Sequence, residues 1–594
     1  MNRRHFLGSA AATMAIGQVH AQSTARPNIL WITCEDMSPD LGCYGDSYAT
    51  SPHIDKLAQK SLKYRTAWST FPVCAPARTA LISGMYPPST ASEHMRSQTS
   101  LPAGMRMYPC YLRDAGYYCT NNSKEDYNLD HTGKVWDESS PKAHWRNRAS
   151  KTQPFFAIFN FTITHESQMR TRPHDWIHDP AKAPVPAYHP DTPEVRKDWA
   201  QYYDNITTMD AMTGKVLAEL EEDGLAQDTI VIYYSDHGSG MPRSKRWPFN
   251  SGLQVPLLVH IPEKFKHLAP KDYKPGGVTN RLVSFVDLGP TALSLAGIQK
   301  PSNYQGYAFL GAHMGAEQQF LYGFRGRMDE RIDMVRSVRD QRFVYLRHYM
   351  PHRIYGQHIA YMFETPTTAK WHELYQAGKL NDAQKRFWET KPAEELYDLE
   401  ADPDEVNNLA ADPRHKATLE RLRKAHLEQA RRMQDLGFLP ESADRKPRKL
   451  DLVIDAADTA TRNPVPAKLA AMLKDSDPGV RYWAATGFLV SKTKAPAEAL
   501  EDSALYVRVP AAESIARYGS EAEAKPALEV LLALADQVKN GVPLALEALN
   551  GLDHIQKERV RPYQDRIRAL PMRNPAAPQK MQGYAANLLR RLSA

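Results

Sequence analysis

Apolar runs separated by polar and helix-like stretches set the pattern of the N-terminal half of the chain. "RPNILWITCED" (26–36) is hydrophobic, partly β-branched, and ends in two acidic residues. "PFFAIFNFTITHES" (154–167) follows the same plan and ends in polar residues, as does "DTIVIYYSDHGSG" (228–240), and "VPLLVHIP" (255–262) is a fourth run. Runs of this length without polar alternation fit strands buried on both faces. Between them, "ALISGMYP" reads as the end of a helix stopped by Gly84 and Pro87, and 199–221 has the periodicity of a helix. Hydrophobic strands separated by helices predict an α/β sheet covered on both sides. Ligands gather beyond the carboxyl ends of such strands. Those ends carry Glu35 and Asp36, His165, and Asp236 and His237, so three distant segments are predicted to converge.

The pattern changes near Met334. "MVRSVRDQRFVYLRHYM" has short alternating stretches, and "EELYDLEADPDEVNNLA" (394–410) ends in acidic and turn residues. The α/β domain is therefore expected over 22–330 and a smaller α+β subdomain over 331–440. "ESADRKPRKL" (441–450) reads as a polar linker, and helices dominate 451–594. There "DSDPGVRYWAATGF", "DSALYVRVPAAESI" and "NGVPLALEALNGL" align through Val480, Val507 and Val542, at spacings of 27 and 35. Helical pairs that cannot bury their faces alone must stack, and the pattern resembles HEAT repeats. A generic helical bundle is the alternative.

Composition narrows the class. A chain of 594 residues is too long for one core, and 42% hydrophobic and 24% charged residues are ordinary for a soluble globular protein. "MNRRHFLGSAAATMAIGQVHAQS" combines Arg3-Arg4, a short apolar run and Val19-His20-Ala21. It reads as a twin-arginine export signal over 1–21, so a periplasmic or secreted location is expected. No later run reaches the length of a membrane helix. The net charge of +7 is spread along the chain, without the dense basic runs of nucleic-acid binders. Five cysteines (34, 43, 74, 110, 119) are few and odd in number, which argues against a disulfide scaffold.

Glu35, Asp36, Asp236 and His237 offer three carboxylates and an imidazole, a set suited to a divalent cation. The oxygen-rich donors favour calcium, and the histidine keeps other metals open. Cys74-Ala75-Pro76-Ala77-Arg78 stands just ahead of a helix. Its thiol alone could be a packing residue, half of a disulfide, a nucleophile or the precursor of another group. The segment matches the C-x-P-x-R signature of the sulfatase family, and the match runs on through "TALISGMYP". "SDHG" and "ELYDLEADP" follow in the family's order, so residues 26–440 resemble a sulfatase, with a fold like that of alkaline phosphatase.

That resemblance implies that a formylglycine-generating maturation enzyme oxidises Cys74 to Cα-formylglycine, whose aldehyde is hydrated to a gem-diol. One diol oxygen attacks sulfur, and collapse to the aldehyde through the other expels sulfate, which is covalent catalysis with a built-in release step. Arg78 would hold the hydrated aldehyde, and Glu35, Asp36, Asp236 and His237 would bind one Ca²⁺. Lys245, in "KRWPFNSGLQVPL", would contact sulfate, and Lys124, in "NNSKEDYN", matches a family lysine. His165 would bind sulfate and protonate the leaving oxygen. One position departs from the pattern: Asp126 stands where the family usually has histidine two residues after the lysine. A carboxylate has an unperturbed pKa near 4, so either Asp126 is the base or another histidine, such as His131, takes that role.

The resemblance also places Arg325, Arg327, Arg347, His352 and Arg353 in or beside the subdomain that meets the sugar. Arginine and histidine there suit an anionic saccharide, unless they neutralise the acidic run 394–406. This region resembles glycan sulfatases and the sulfamidase branch, which acts on N-sulfoglucosamine. The expected activity is hydrolysis of sulfate from a sulfated carbohydrate, of polysaccharide or glycosaminoglycan type. The rivals are a sulfamidase, an arylsulfatase, and a phosphatase or phosphodiesterase of the same fold, which would want Ser or Thr at position 74 and two metals. A non-enzymatic binding protein built on the repeats is the last. The repeats are expected to dock a protein partner or to buttress the catalytic part.

Overall fold

The computed structural model describes residues 26–130, 133–446 and 448–593; the expected signal segment and His131 lie outside the described residues. Eight strands form the main sheet: β1 (Asn28–Cys34), β2 (Leu62–Tyr64), β3 (Tyr118–Asn122), β4 (Glu138–Ser139), β5 (Phe155–Phe161), β6 (Thr229–Ser235), β7 (Leu257–His260) and β8 (Val278–Thr279). Their order is β8-β2-β7-β6-β1-β5-β3-β4. β1 is central and parallel to both β5 and β6, while β7 runs antiparallel to β6 and β2, so the sheet is mixed.

Alternate residues of β1 enter different cores, as the two-residue period of a strand requires. Ile29 and Trp31 pack with Phe156, Tyr234 and residues of α1 (Cys74–Ser83), whereas Leu30 and Ile32 meet Tyr202, Ile206 and Met209 of α2 (Pro193–Glu222). Burial on both faces explains the continuous apolar runs. The register sets Cys34 opposite Phe161 and Ser235, so the segments after β1, β5 and β6 leave the sheet at one level.

A second sheet is antiparallel throughout: β9 (Leu321–Arg325), β10 (Val335–Arg339), β11 (Phe343–His348) and β12 (Glu394–Asp398). α3 (Lys416–Arg432) covers it through Leu419 and Leu422 against Val338, Tyr345 and Leu396. The subdomain thus begins earlier than the expected residue 331, because β9 pairs with β10 along its whole length.

The helices α4 (Asp451–Arg462), α5 (Pro478–Val490), α6 (Leu505–Tyr518), α7 (Glu521–Leu534), α8 (Val542–Asp553) and α9 (Gln582–Ser593) share one core that includes Trp483, Ile515, Leu531, Leu549 and Leu588. Val480, Val507 and Val542 each sit buried in the first turn of a helix. That core does not stop at the domain edge: Met334, Tyr349, Leu436 and Phe438 belong to it. Segment 441–446 is also tied down and is no free linker. Glu441 pairs with Arg327, Ser442 donates to Glu547 and Arg445 pairs with Glu93. All five cysteines are unpaired. Among the described residues, no helix is long and apolar enough to cross a membrane.

Candidate active site

Cys74 is the first residue of α1, preceded by Val73 in extended conformation. Pro76 falls in the first turn, where a missing N–H costs no helical bond. Arg78 lies one turn further on the same face. The spacing of Cys74-Ala75-Pro76-Ala77-Arg78 therefore sets thiol and guanidinium side by side at a helix N-terminus, whose free N–H groups favour an anion. Gly84 ends the helix at φ 65, with the Tyr304 ring only 2.4 Å from where a Cβ would stand. Arg78 Nε donates to Asp236 Oδ2 at 3.1 Å, and its Nη1 to Asn160 Oδ1 at 2.7 Å.

The loops after β1 and β6 interlock beneath it. Asp36 N–H donates to Asp236 Oδ1 at 3.0 Å, and Asp36 Oδ2 accepts from Lys245 Nζ at 2.5 Å and from Glu166 N–H at 2.7 Å. His237 Nδ1 lies 2.9 Å from the Gly238 carbonyl, which can only accept, so Nδ1 carries a proton and Nε2 is turned toward the carboxylates. That Nε2 stands 2.9 Å from Asp36 Oδ1 and 3.7 Å from Asp236 Oδ1. Neither Nε2 nor Asp36 Oδ1 has a hydrogen-bond partner, and both are buried. Two carboxylates and an imidazole whose Nδ1 is held by the Gly238 carbonyl, converging with buried unsatisfied atoms, suit a bound divalent cation. Asp36, Asp236 and His237 form that cluster. Glu35, expected as a fourth ligand, turns its carboxylate to Lys124, with which it pairs, and to Arg78 Nη2 at 3.6 Å.

Charge around the cluster is balanced by close contact. Burial pushes the Asp36 carboxyl up, but the Lys245 ammonium, with His165 and His237, holds it well below the usual range. Glu35 is raised, by burial before all else. Lys124 Nζ is 3.9 Å from Asp126 Oδ2, and the Asp126 carboxylate reaches the Cys74 thiol. Burial, then Asp126, pushes that thiol upward, so it is no thiolate. Burial and Lys245 lower His165 to about 4. Its Nδ1 accepts from Ser167 N–H at 3.3 Å, which leaves the proton of the neutral ring on Nε2.

The expected site residues Cys74, Arg78, Lys124, Asp126, His165, Lys245, Asp36, Asp236 and His237 thus come together. The five residues expected to meet a sugar do not join them. Arg325 is buried 3.3 Å from Asp333, and Arg327 donates to Glu441 at 2.5 and 2.9 Å. Arg347 pairs with Asp458 at 3.1 Å and Arg353 with Glu513 at 2.5 Å, both on the helical domain. His352 lines the interface beside Tyr482 and Glu547. Their ion-pair partners lie outside the acidic run 394–406, and only Arg347, opposite Glu394 in the sheet, acts on a carboxylate of that run. A buried guanidinium needs a carboxylate at bonding distance; Arg325 finds its own within the subdomain, Arg327 in the segment that follows it, and Arg347 and Arg353 on the helical domain.

Several residues of the site carried no role in the sequence pattern. Arg246 grips Glu166 with two bonds of 2.8 Å and Asp329 with one of 2.9 Å, which holds Glu166 at about 2 despite burial. Adjacency to Lys245 and His165 was the available signal. Arg96 and Lys580 act on Asp126 from outside, and nothing in their local sequence marks them. Asp36, Arg96, Asp126, Arg246 and Asp329 all have positive φ. Such backbone in non-glycine residues concentrates at functional sites.

These features define a hydrolase site for an anionic ester on an alkaline-phosphatase-like fold, and comparison with known proteins gives the family. The sulfatase family profile matches residues 27–298, and that of the N-sulphoglucosamine sulphohydrolase C-terminal region matches 242–385. An ulvan-active sulfatase of Formosa agariphila is 39% identical over 467 residues, covering 70% of this chain and 77% of its own. Human N-sulphoglucosamine sulphohydrolase is 29% identical over 458 residues, covering 67% and 89%. A putative sulfatase from Bacteroides thetaiotaomicron superposes with a TM-score of 0.51 at 19% identity, over 69% of this chain and 93% of that one. The chain belongs to the sulfatase family of sulfuric ester hydrolases.

Proposed function

We propose that the protein removes sulfate from a sulfated polysaccharide such as ulvan, with residue 74 working as Cα-formylglycine and one Ca²⁺ seated on Asp36, Asp236 and His237, beside Glu35. The observation that carries this reading is the placement of Cys74: first residue of a helix, flanked by Arg78, Lys124 and Asp126, over a paired carboxylate–imidazole cluster. The Sγ atom stands for the oxygens of the hydrated aldehyde, a group that supplies both a nucleophile and a route for releasing sulfate. The cation supplies charge that polarises sulfate oxygens.

The chain's own residues do the rest. Lys124 and Lys245 neutralise the sulfate as negative charge grows. Arg78 holds the oxygens at position 74. Asp126, ionised and within reach of that position, accepts a proton there. His165 is neutral and offers Nε2–H to the leaving oxygen. Export through the twin-arginine route to the periplasm or beyond fits this reading, as does a maturation enzyme that modifies Cys74 and a HEAT-like character for the helices. The N-sulphoglucosamine sulphohydrolase match over 242–385 supports a second reading, cleavage of an N-sulfate.

Full-length protein made with a formylglycine-generating enzyme is the test. The Cys74 peptide is expected to lose the mass of thiol-to-aldehyde conversion, and sulfate release from ulvan is expected to fall by at least about a thousandfold in Cys74→Ala. Sulfate release that survives Cys74→Ala overturns the proposal, and preference for N-sulfoglucosamine over O-sulfated sugars selects the second reading.

A further inference from the structure

The end of the chain returns to the mouth of the catalytic site. Lys580 lies in the turn Gln579–Met581 ahead of α9, and Tyr584 follows in its first turn. A separation of four residues puts them near one face. Lys580 Nζ stands 3.6 Å from Asp126 Oδ1, with 51% of its side chain open to solvent. Arg96 approaches from the catalytic domain, exposed and at φ 60. Asp126 feels both cations, and Arg96 in turn feels Tyr584, Asp126, Cys74 and Asp329. Among the described residues Arg96 has no carboxylate at ion-pair distance. Tyr584 is 6% exposed, yet its hydroxyl has no hydrogen-bond partner, and the Arg327 guanidinium lies 5.2 Å over its ring.

Neither cation is needed to hold the domains together. The Lys580–Asp126 contact is long, at 3.6 Å, and half of the Lys580 side chain is open to solvent, so it contributes little to stability. α9 is fixed by other contacts: Asp553 bridges Arg331 at 2.7 Å and Arg591 at 3.1 Å, and Leu588 and Leu589 are in the helical core. What remains at the rim is an excess of positive charge. Lys124, which already pairs with Glu35, together with Lys580 and Arg96 surrounds Asp126, whose own hydrogen bond goes to position 74. Two of those cations are solvent-accessible, come from different domains and lie beside the reacting group.

We propose that Arg96 and Lys580, with the Tyr584 hydroxyl, form a subsite for a second anionic group on the sugar, a carboxylate or a further sulfate, next to the sulfate that is removed. The helical domain thereby becomes part of substrate selection. This inference rests on the sulfatase reading above for the identity of the reacting group.

Three substrates test it on the full-length mature enzyme: a neutral sugar with one sulfate, the same sugar with two, and a monosulfated uronic-acid disaccharide. Lys580→Ala is expected to lower kcat/KM on a two-anion substrate about tenfold more than on the one-anion sugar, chiefly through KM. Arg96→Ala should do the same, and Lys580→Arg should retain the wild-type ratio. The two-anion substrate that loses more identifies sulfate or carboxylate as the bound group. In a Cys74→Ala background, Lys580→Ala is expected to weaken binding of that sugar by a similar factor. Equal losses on all three substrates mean that Lys580 acts only through Asp126, and they overturn the subsite, as does an unchanged ratio. Wild-type enzyme that binds two-anion sugars through Lys580 but releases no sulfate refutes the sulfatase reading and leaves the subsite standing.

Discussion

Burial alone would raise the Asp126 carboxyl, yet Lys124, the Cys74 thiol, Lys580 and Arg96 together hold it below its ordinary value. It is therefore an anion at neutral pH, and the base proposed at this position would draw its strength from placement rather than from a raised pKa. Asp126→Asn keeps the shape and loses the charge. The expected result is a kcat lower by about 10²-fold, with the aldehyde content at residue 74 unchanged by peptide mass; an unchanged kcat removes Asp126 from proton transfer. Much of this site was legible in the chain because its residues sit in short motifs on rigid elements. Cys74 and Arg78 are one helical turn apart, and Asp36, Asp236 and His237 follow buried strands. Which way the Glu35 carboxylate turns, here to Lys124, depends on side-chain direction, which strand position does not fix.

Strands β1, β5 and β6 announce themselves in sequence since helices bury both their faces and every turn of the pleat must be apolar. β3, which delivers Lys124 and Asp126, does not. Its residues "YCTNN" are short and polar, and Asn121 is spent on Asn160 and Ser139 next to the site. Function overrides strand propensity there. The start of the second sheet was hidden for a different reason, because β9 can be recognised only from its partner β10. Helix α1 ends at Gly84, in left-handed backbone. Gly84→Ala puts a Cβ into left-handed backbone and against the Tyr304 ring. A loss of about 1–3 kcal/mol is expected, read as a lower Tm, with the position of Cys74 disturbed as well.

The assembly of domains was the least legible level. Arginines that suit an anionic sugar in composition serve instead as buried rivets, Arg347 to Asp458 and Arg353 to Glu513, and only three-dimensional packing distinguishes the two uses. The same interface contains a group that titrates. Burial, with Glu441 nearby, raises the Glu547 carboxyl from 4.5 to about 8, against hydrogen bonds from Ser442. The folded chain keeps a proton that the unfolded chain gives up above pH 4.5. Stability from this group is thus complete below pH 4.5, declines by up to about 1.36 kcal/mol per pH unit as pH rises, and stops declining near pH 8. Glu547→Gln has no such proton to lose. Its Tm is expected to exceed that of the parent protein at pH 8 and to match it at pH 4.5; equal melting curves at both would refute the titration.

Cys74 is 3% exposed in the finished fold, beneath a rim that Lys580 completes. Those two residues leave the ribosome far apart in time: about 500 residues at roughly 5–20 per second amount to about 25–100 s. An oxidising enzyme that needs the thiol has that interval, while the segment is still loose and the far wall does not yet exist. Under the proposed maturation of Cys74, the order of translation serves as a clock, with chemistry at the cysteine early and the wall that carries Lys580 last.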